Sequence, residues 1–227
     1  MFAVIFEVEP KPERRGEYLG LAAFLKPSLE KIDGFIDVER FASTDNNERV
    51  LSLSFWRDEK AVIRWRTLDT HHEVQAKGRL EIFQDYHLRV GEITADSDLS
   101  GDAPAQIRFD ETETGAAKVV TISEIRPESE KPGGDWLAGL GLRDGPDALI
   151  DCLPYDSIYN PGKLLVVASW RDAAAARLWK PGSLVGAATR HRHVRIIRDY
   201  GMFDRREAPQ YYPPAGQPMP GRMSTAS

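Results

Sequence analysis

Apolar and polar positions recur along this chain in two periods, and the switches between them mark the elements. Residues 2–8 form a compact apolar run closed by Glu9 and Pro10, which predicts a strand. From Glu13 the period lengthens, and Tyr18, Leu21, Ala22, Leu25, Leu29 and Ile32 fall on one helical stripe. Pro27 lies inside that stripe and predicts a kink or break just before it; Gly34 is a stop signal. Residues 35–41 read as a second strand, with Ile36, Val38 and Arg40 on one side and Phe35, Asp37 and Glu39 on the other. Ser43-Thr44-Asp45-Asn46-Asn47 is turn chemistry. Residues 50–56 form a third strand with Leu51, Leu53 and Phe55 on one face. Asp58 is positioned to cap a helix running through Trp65. Thr70 and Glu73 have capping-box spacing, which predicts a second helical stretch from His71. Residues 82–93 supply a fourth strand. The order β-α-β-β-α-β is a ferredoxin-like split βαβ unit.

The pattern then repeats. An offset of 114 residues carries Phe55-Trp56-Arg57-Asp58 onto Ser169-Trp170-Arg171-Asp172, Trp65 onto Trp179, Ile36-Asp37 onto Ile150-Asp151 and Asp85-Tyr86 onto Asp199-Tyr200. The first strand recurs at residues 119–125 with an offset of 117. A period this long is one small domain duplicated, not a solenoid. The expected organisation is a first unit at 1–95, a linker at 96–116 rich in small and polar residues, a second unit at 117–206 and a Pro-rich, extended tail at 207–227. The second unit is degenerate: Pro132, Gly133 and Gly134 leave room for one short helix around Trp136, and Pro181-Gly182 interrupts the helical run after Trp179. Its last strand is expected at 194–203. A four-stranded sheet with helices on one side leaves its other face bare, so the second sheet is expected to cover it, giving an intramolecular pseudo-dimer packed face to face.

Bulk properties narrow the function. The chain has 227 residues, a net charge of −5 and 41% apolar residues, ordinary for a globular protein and without the basic surplus of a general nucleic-acid binder. Cys152 is the single cysteine, which excludes an intrachain disulfide and a cysteine-based metal site. No apolar run approaches the roughly 20 residues of a membrane span, and the reading is a cytoplasmic protein.

Residues 2–10, Ile32-Asp33-Gly34-Phe35, Leu51-Ser52-Leu53-Ser54-Phe55-Trp56-Arg57-Asp58, Trp65-Arg66, His72, Ala76-Lys77-Gly78-Arg79 and Phe83-Gln84-Asp85-Tyr86 together resemble the antibiotic biosynthesis monooxygenase domain of the dimeric α+β-barrel superfamily. The resemblance implies an α+β fold of two ferredoxin-like units closing one barrel. It also implies a cofactor-independent monooxygenase, with oxygen and a small aromatic or polyketide-like molecule as substrates and no metal; that no nucleic acid and no membrane are partners is the reading of the charge balance and the apolar runs. Assembly beyond the pseudo-dimer, into a further homodimer, stays open. Such chemistry needs an apolar slot, a base and donors for an oxyanion.

Trp65 resembles the helix Trp of the family. If the helix runs on unbroken, His72 lies on its side, which makes Trp65 and His72 the catalytic candidates and ranks His72 above His71. A helix N-terminus disfavours imidazolium, so a neutral base there is physically sensible. His71, Arg79 and Tyr86 are the substrate-binding candidates. Each has a plainer reading: Trp65 and Tyr86 as core, the histidines as solvated. His191 and His193 share a face but have no third metal ligand nearby. The alternatives are a non-catalytic ligand-binding or stress-related barrel and a haem-binding or haem-degrading protein. The latter is disfavoured because residues 2–8 contain no Asn and Gln75 stands where haem-degrading members carry a His.

Overall fold

The computed structural model describes residues 1–46, 48–99, 107–128, 135–143 and 145–209. Pro132-Gly133-Gly134 and the tail beyond Pro209 lie outside the described residues. In the first copy the elements are β1 (Phe2–Pro10), α1 (Arg15–Leu29), β2 (Phe35–Ser43), β3 (Val50–Trp56), α2 (Glu59–Arg66), α3 (Asp69–Lys77) with a π-helical turn (Gly78–Ile82), and β4 (Phe83–Asp96). The second copy has β5 (Val119–Pro127), α4 (Trp136–Gly139), β6 (Leu149–Ser157), β7 (Leu164–Trp170), α5 (Ala173–Leu178) and β8 (Ala187–Gly201).

The eight strands close into one antiparallel barrel in the order β1-β3-β2-β6-β7-β5-β8-β4. The two sheets therefore also join edge to edge, at β2–β6 and β4–β8, and closure leaves no free strand edge. Period-2 alternation sends Ala3, Ile5, Leu53, Phe55 and their second-copy counterparts Val120, Ile122, Val167 and Ser169 toward the barrel interior, where most of them form the shared apolar core. The opposite faces carry the helices. Both copies break register at the same place, between Phe35 and Asp37 and between Leu149 and Asp151. This is a duplicated bulge, and bulges re-aim a strand.

Strand pairing corrects the sequence alignment at its end. Phe2 pairs with Glu92, and its counterpart Val119 pairs with Arg195; likewise Val8 pairs with Tyr86 and Ile125 with Thr189. The counterpart of Tyr86 is thus Thr189, and Asp199-Tyr200 resembles Asp85-Tyr86 without occupying its place. The second copy lacks the span that forms α3 and the π-helical turn, so β8 starts at Ala187 and not at 194. The pseudo-twofold passes between Glu92 and Arg195, equivalent residues that face each other and form an ion pair at 2.7 Å. Gly91 makes this seam possible: a Cβ there would lie 2.3 Å from the Arg195 carbonyl oxygen. The same Glu92 carboxylate accepts from the backbone N–H groups of Ile107 and Arg108, at 2.6 and 3.1 Å, which fastens the described part of the linker.

Two further expectations change. α1 runs through Pro27 without a break; only Ser28 and Leu29 of the helix follow the proline, so little helix remains for it to interrupt. α3 begins at Asp69, its cap is Leu68 without a side-chain hydrogen bond, and Thr70 is already inside it. The Asp caps hold: Asp58 accepts from Ala61 N at 2.9 Å and Asp172 from Ala175 N at 2.8 Å. Asp58→Ala and Asp172→Ala are each expected to lower stability by about 1 kcal/mol, and the double variant by their sum, as read by urea denaturation.

Candidate functional site

Between the outer face of the first sheet and α1, α2 and α3 lies a cavity of about 390 Å³. The matching space in the second copy is filled. There Leu140 and Leu142 sit with Trp136, Trp170, Trp179 and Leu184, and Trp179 Nε1 donates to the Leu140 carbonyl at 2.9 Å. The long α1 has been replaced by four-residue α4, whose short segment packs into the space a ligand would need.

All five sequence-derived candidates, Trp65, His71, His72, Arg79 and Tyr86, line the first-copy cavity. Their roles separate by placement. The helix carrying Trp65 ends at Arg66 and α3 starts afresh at Asp69, so the continuous face that put His72 beside Trp65 does not exist. Across the break it is the His71 ring that stacks on Trp65, with centroids 4.1 Å apart and planes at 19°. His71 Nδ1 is 2.9 Å from the Trp65 carbonyl oxygen, an arrangement in which Nδ1–H donates and Nε2 keeps its lone pair. Burial pushes the His71 imidazole down to about 4, so it is neutral at physiological pH. His72 and Arg79 are exposed at the margin.

Tyr86 is held at the other end of the sheet's outer face by Phe6 and Phe83, with centroids at 5.6 and 6.2 Å. Its hydroxyl oxygen accepts from Arg205, which leaves its own O–H free to donate. Gly78 in the π-helical turn permits the Phe83 contact, since a Cβ there would lie 2.5 Å from that ring. Arg205 comes from the segment after β8, and that segment is fastened by Glu207. The Glu207 carboxylate accepts from Thr112 Oγ1, Thr114 N and Asp199 N at 2.7, 3.0 and 2.7 Å. Burial pushes Glu207 up, but these hydrogen bonds more than offset it and hold the carboxyl below its ordinary range. The start of the tail is thus part of the site wall. Arg198 and Tyr200 of β8 also reach the cavity, so the second copy completes the first copy's site.

Sequence reasoning missed Arg40, Arg198, Tyr200 and Arg205 as site residues. Arg40 carried a legible signal, a charge on the strand face shared with Val38. Tyr200 was legible only as the repeat of Tyr86, with packing the preferred reading; Arg198 and Arg205 carried no signal, because the β4–β8 register is a tertiary choice. Among the lining residues the carboxylate is that of Glu59, which is bonded to Arg108. The cationic groups outnumber it, so the cavity favours an anionic or electron-rich guest.

Fold and cavity together define a tandem dimeric α+β barrel with an open pocket in its first copy. The sequence profile of the antibiotic biosynthesis monooxygenase family matches residues 1–77. A jasmonate monooxygenase of Pyricularia oryzae is 43% identical over 224 residues, covering 95% of this chain and all of that protein. The chain belongs to the antibiotic biosynthesis monooxygenase family. Among solved structures, an aldoxime dehydratase shares the fold over 86% of this chain and 80% of its own, at 12% identity and a TM-score of 0.54. An antibiotic biosynthesis monooxygenase covers 40% of this chain and 97% of its own, at 16% identity and a TM-score of 0.37. No helix among the described residues is long and apolar enough to cross a membrane.

Proposed function

We propose that the protein is a monooxygenase whose substrate is a small, mostly apolar cyclic ketone, jasmonate or a close analogue, bound in the first-copy cavity. The observation that carries this reading is the open cavity walled by the stacked Trp65–His71 pair. The relative's activity on jasmonate supports the choice of substrate. A volume of about 390 Å³ is at the small end of the roughly 300–1,000 Å³ of ligand pockets and suits one ring with short arms. An aromatic substrate, as the sequence suggests, fits the same walls; the full-length relative favours the ketone.

The chemistry asked of the site is removal of a proton next to the ketone, followed by addition of dioxygen to the enolate carbon. Substrate C–H plus O₂ gives a hydroperoxide, with atoms and electrons balanced. Reduction to the alcohol and water takes two electrons and two protons from an external two-electron donor such as a thiol or a reduced nicotinamide. His71 Nε2 is the proton acceptor. At about 4 it is a weak base, so most of the barrier reduction falls to donors that stabilise the enolate oxygen. The Tyr86 O–H, polarised by Arg205, is a substrate-binding donor at the opposite end of the cavity.

The test is incubation with jasmonic acid, a thiol reductant and isotopically labelled dioxygen, followed by mass spectrometry. The expected product has gained one labelled oxygen atom, with matching oxygen uptake. Binding of jasmonate without oxygen uptake or mass change would sink the oxygenase reading in favour of a ligand-binding barrel.

A further inference from the structure

We propose that Arg40 is the anion-binding residue of the first-copy cavity and takes the substrate's carboxylate, an assignment that rests on the proposed substrate class but is tested separately from oxygenation. The buried Arg89 and Arg192 and the partly buried Arg195 are matched to carboxylates: Arg89 bonds Glu7, Arg192 bonds Glu124 and Asp96, and Arg195 bonds Glu92. Arg40 is 8% exposed, lines the cavity, and has no ion pair among the described residues. Its Nε is buried without a hydrogen-bond partner, as are those of Arg89 and Arg195, so what sets Arg40 apart from them is the missing carboxylate. A buried cation without an anion costs several kcal/mol, and a guest carboxylate supplies the missing charge.

The surroundings select a carboxylate. Arg40 pairs with Ser52 across β2–β3, and the Tyr18 hydroxyl lies within reach of both. A guanidinium fork flanked by two neutral hydroxyls matches the two oxygens of a carboxylate. The position also orients the guest. Arg40 and Ser52 stand level with Phe6, at the Tyr18 end of the sheet, whereas Trp65 packs with Trp56. Ser52 and Trp56 are four residues apart on β3, roughly 13 Å at strand rise. A carboxylate held at Arg40 therefore directs the rest of the molecule along the sheet toward the Trp65–His71 pair.

The experiment is calorimetric titration of jasmonic acid and its methyl ester, two probes of nearly the same shape that differ in charge. Wild type is expected to bind the acid about 10–100-fold more tightly than the ester, the range of a charge-assisted hydrogen bond. Arg40→Gln is expected to bring the acid down to the ester's affinity while leaving the ester within about 2-fold, and Arg66→Gln, at another cavity-lining arginine, is expected to keep the preference. Unchanged ester binding reports that the variant is folded. Should Arg40→Gln not fold, Arg40→Lys, which keeps the charge but loses the fork, is expected to cut the preference for the acid while leaving ester affinity unchanged, and an undiminished preference would overturn the assignment. Equal affinities in wild type, no binding of the acid, or an acid preference that survives Arg40→Gln would overturn the assignment. Loss of the preference in a protein that consumes no oxygen would sink the oxygenase reading and leave Arg40 as the anchor. Oxidation of acid and ester with equal kcat/KM by wild type and Arg40→Gln alike would do the reverse.

Discussion

His71→Ala is expected to lower oxygen consumption on the converted substrate by about 100–10,000-fold, the usual contribution of a positioned general base, while His72→Ala stays within about 2-fold of wild type. The difference comes from one interrupted helix. His71 is stacked on Trp65 and tied through Nδ1 to its carbonyl, whereas His72 is exposed. The pH profile checks the same assignment. The His71 pKa is about 4, lowered from 6.5 first by burial, so its acidic limb in kcat/KM is expected near pH 4, and activity should stay flat upward from there as far as this group is concerned. Stability follows the same shift. Between about pH 6.5 and 4 the unfolded chain binds a proton that the folded one refuses, so stability falls as pH drops through that window. His71→Ala is expected to remove that part of the slope in acid denaturation. Equal loss of activity in both variants would point to a shared structural effect and not to a base.

The second large effect is expected in the barrel interior. Arg89, 2% exposed, bonds Glu7 at 2.7 Å and Ser169 Oγ at 2.8 Å, and the Tyr155 hydroxyl donates to Glu7 at 2.5 Å. Glu124 and Arg192 repeat this pair in the second copy, where Arg192 lies over Phe55 with its guanidinium 4.3 Å from the ring centroid. Arg89→Met is expected to cost about 3–5 kcal/mol, because it strands a buried carboxylate. Adding Glu7→Gln should recover part of that loss, so the double variant is more stable than the sum of the singles predicts. Burial pushes Glu7 up, but the Arg89 charge and the Tyr155 hydrogen bond more than offset it, holding the carboxyl below its ordinary range. Its contribution is therefore complete above the usual carboxylate pKa and is lost as pH falls through the lowered one. Urea denaturation at neutral and acidic pH checks both statements; strict additivity of the two substitutions would show that the pair is not coupled.

The hydrophobic pattern by itself determined the strands of both copies apart from the start of β8, the Asp58 cap and the short helix at Trp136. These are local matters of period, turn chemistry and propensity, and the Trp-Arg-Asp signature after the third strand is strong enough to announce the repeat. It also brought the right neighbourhood to the site, since Trp65, His71, His72, Arg79 and Tyr86 all border one cavity. What the pattern could not decide was long-range geometry. A constant offset aligns Tyr200 with Tyr86, but the backbone ladder of β5–β8 aligns Thr189 with it, because hydrogen-bond register answers to barrel closure and not to residue identity. Which histidine meets Trp65 depended on a helix break at Thr67 and Leu68; the Thr70–Glu73 spacing signalled a fresh start two residues late and did not say which ring stacks on Trp65. The repeated ion pairs Glu7–Arg89 and Glu124–Arg192 join strands far apart in the chain. The unpaired state of Arg40 is likewise a property of what surrounds it in space: a charge reads the same in sequence whether its counterion is present or absent, and only the folded sheet leaves that place open for a guest.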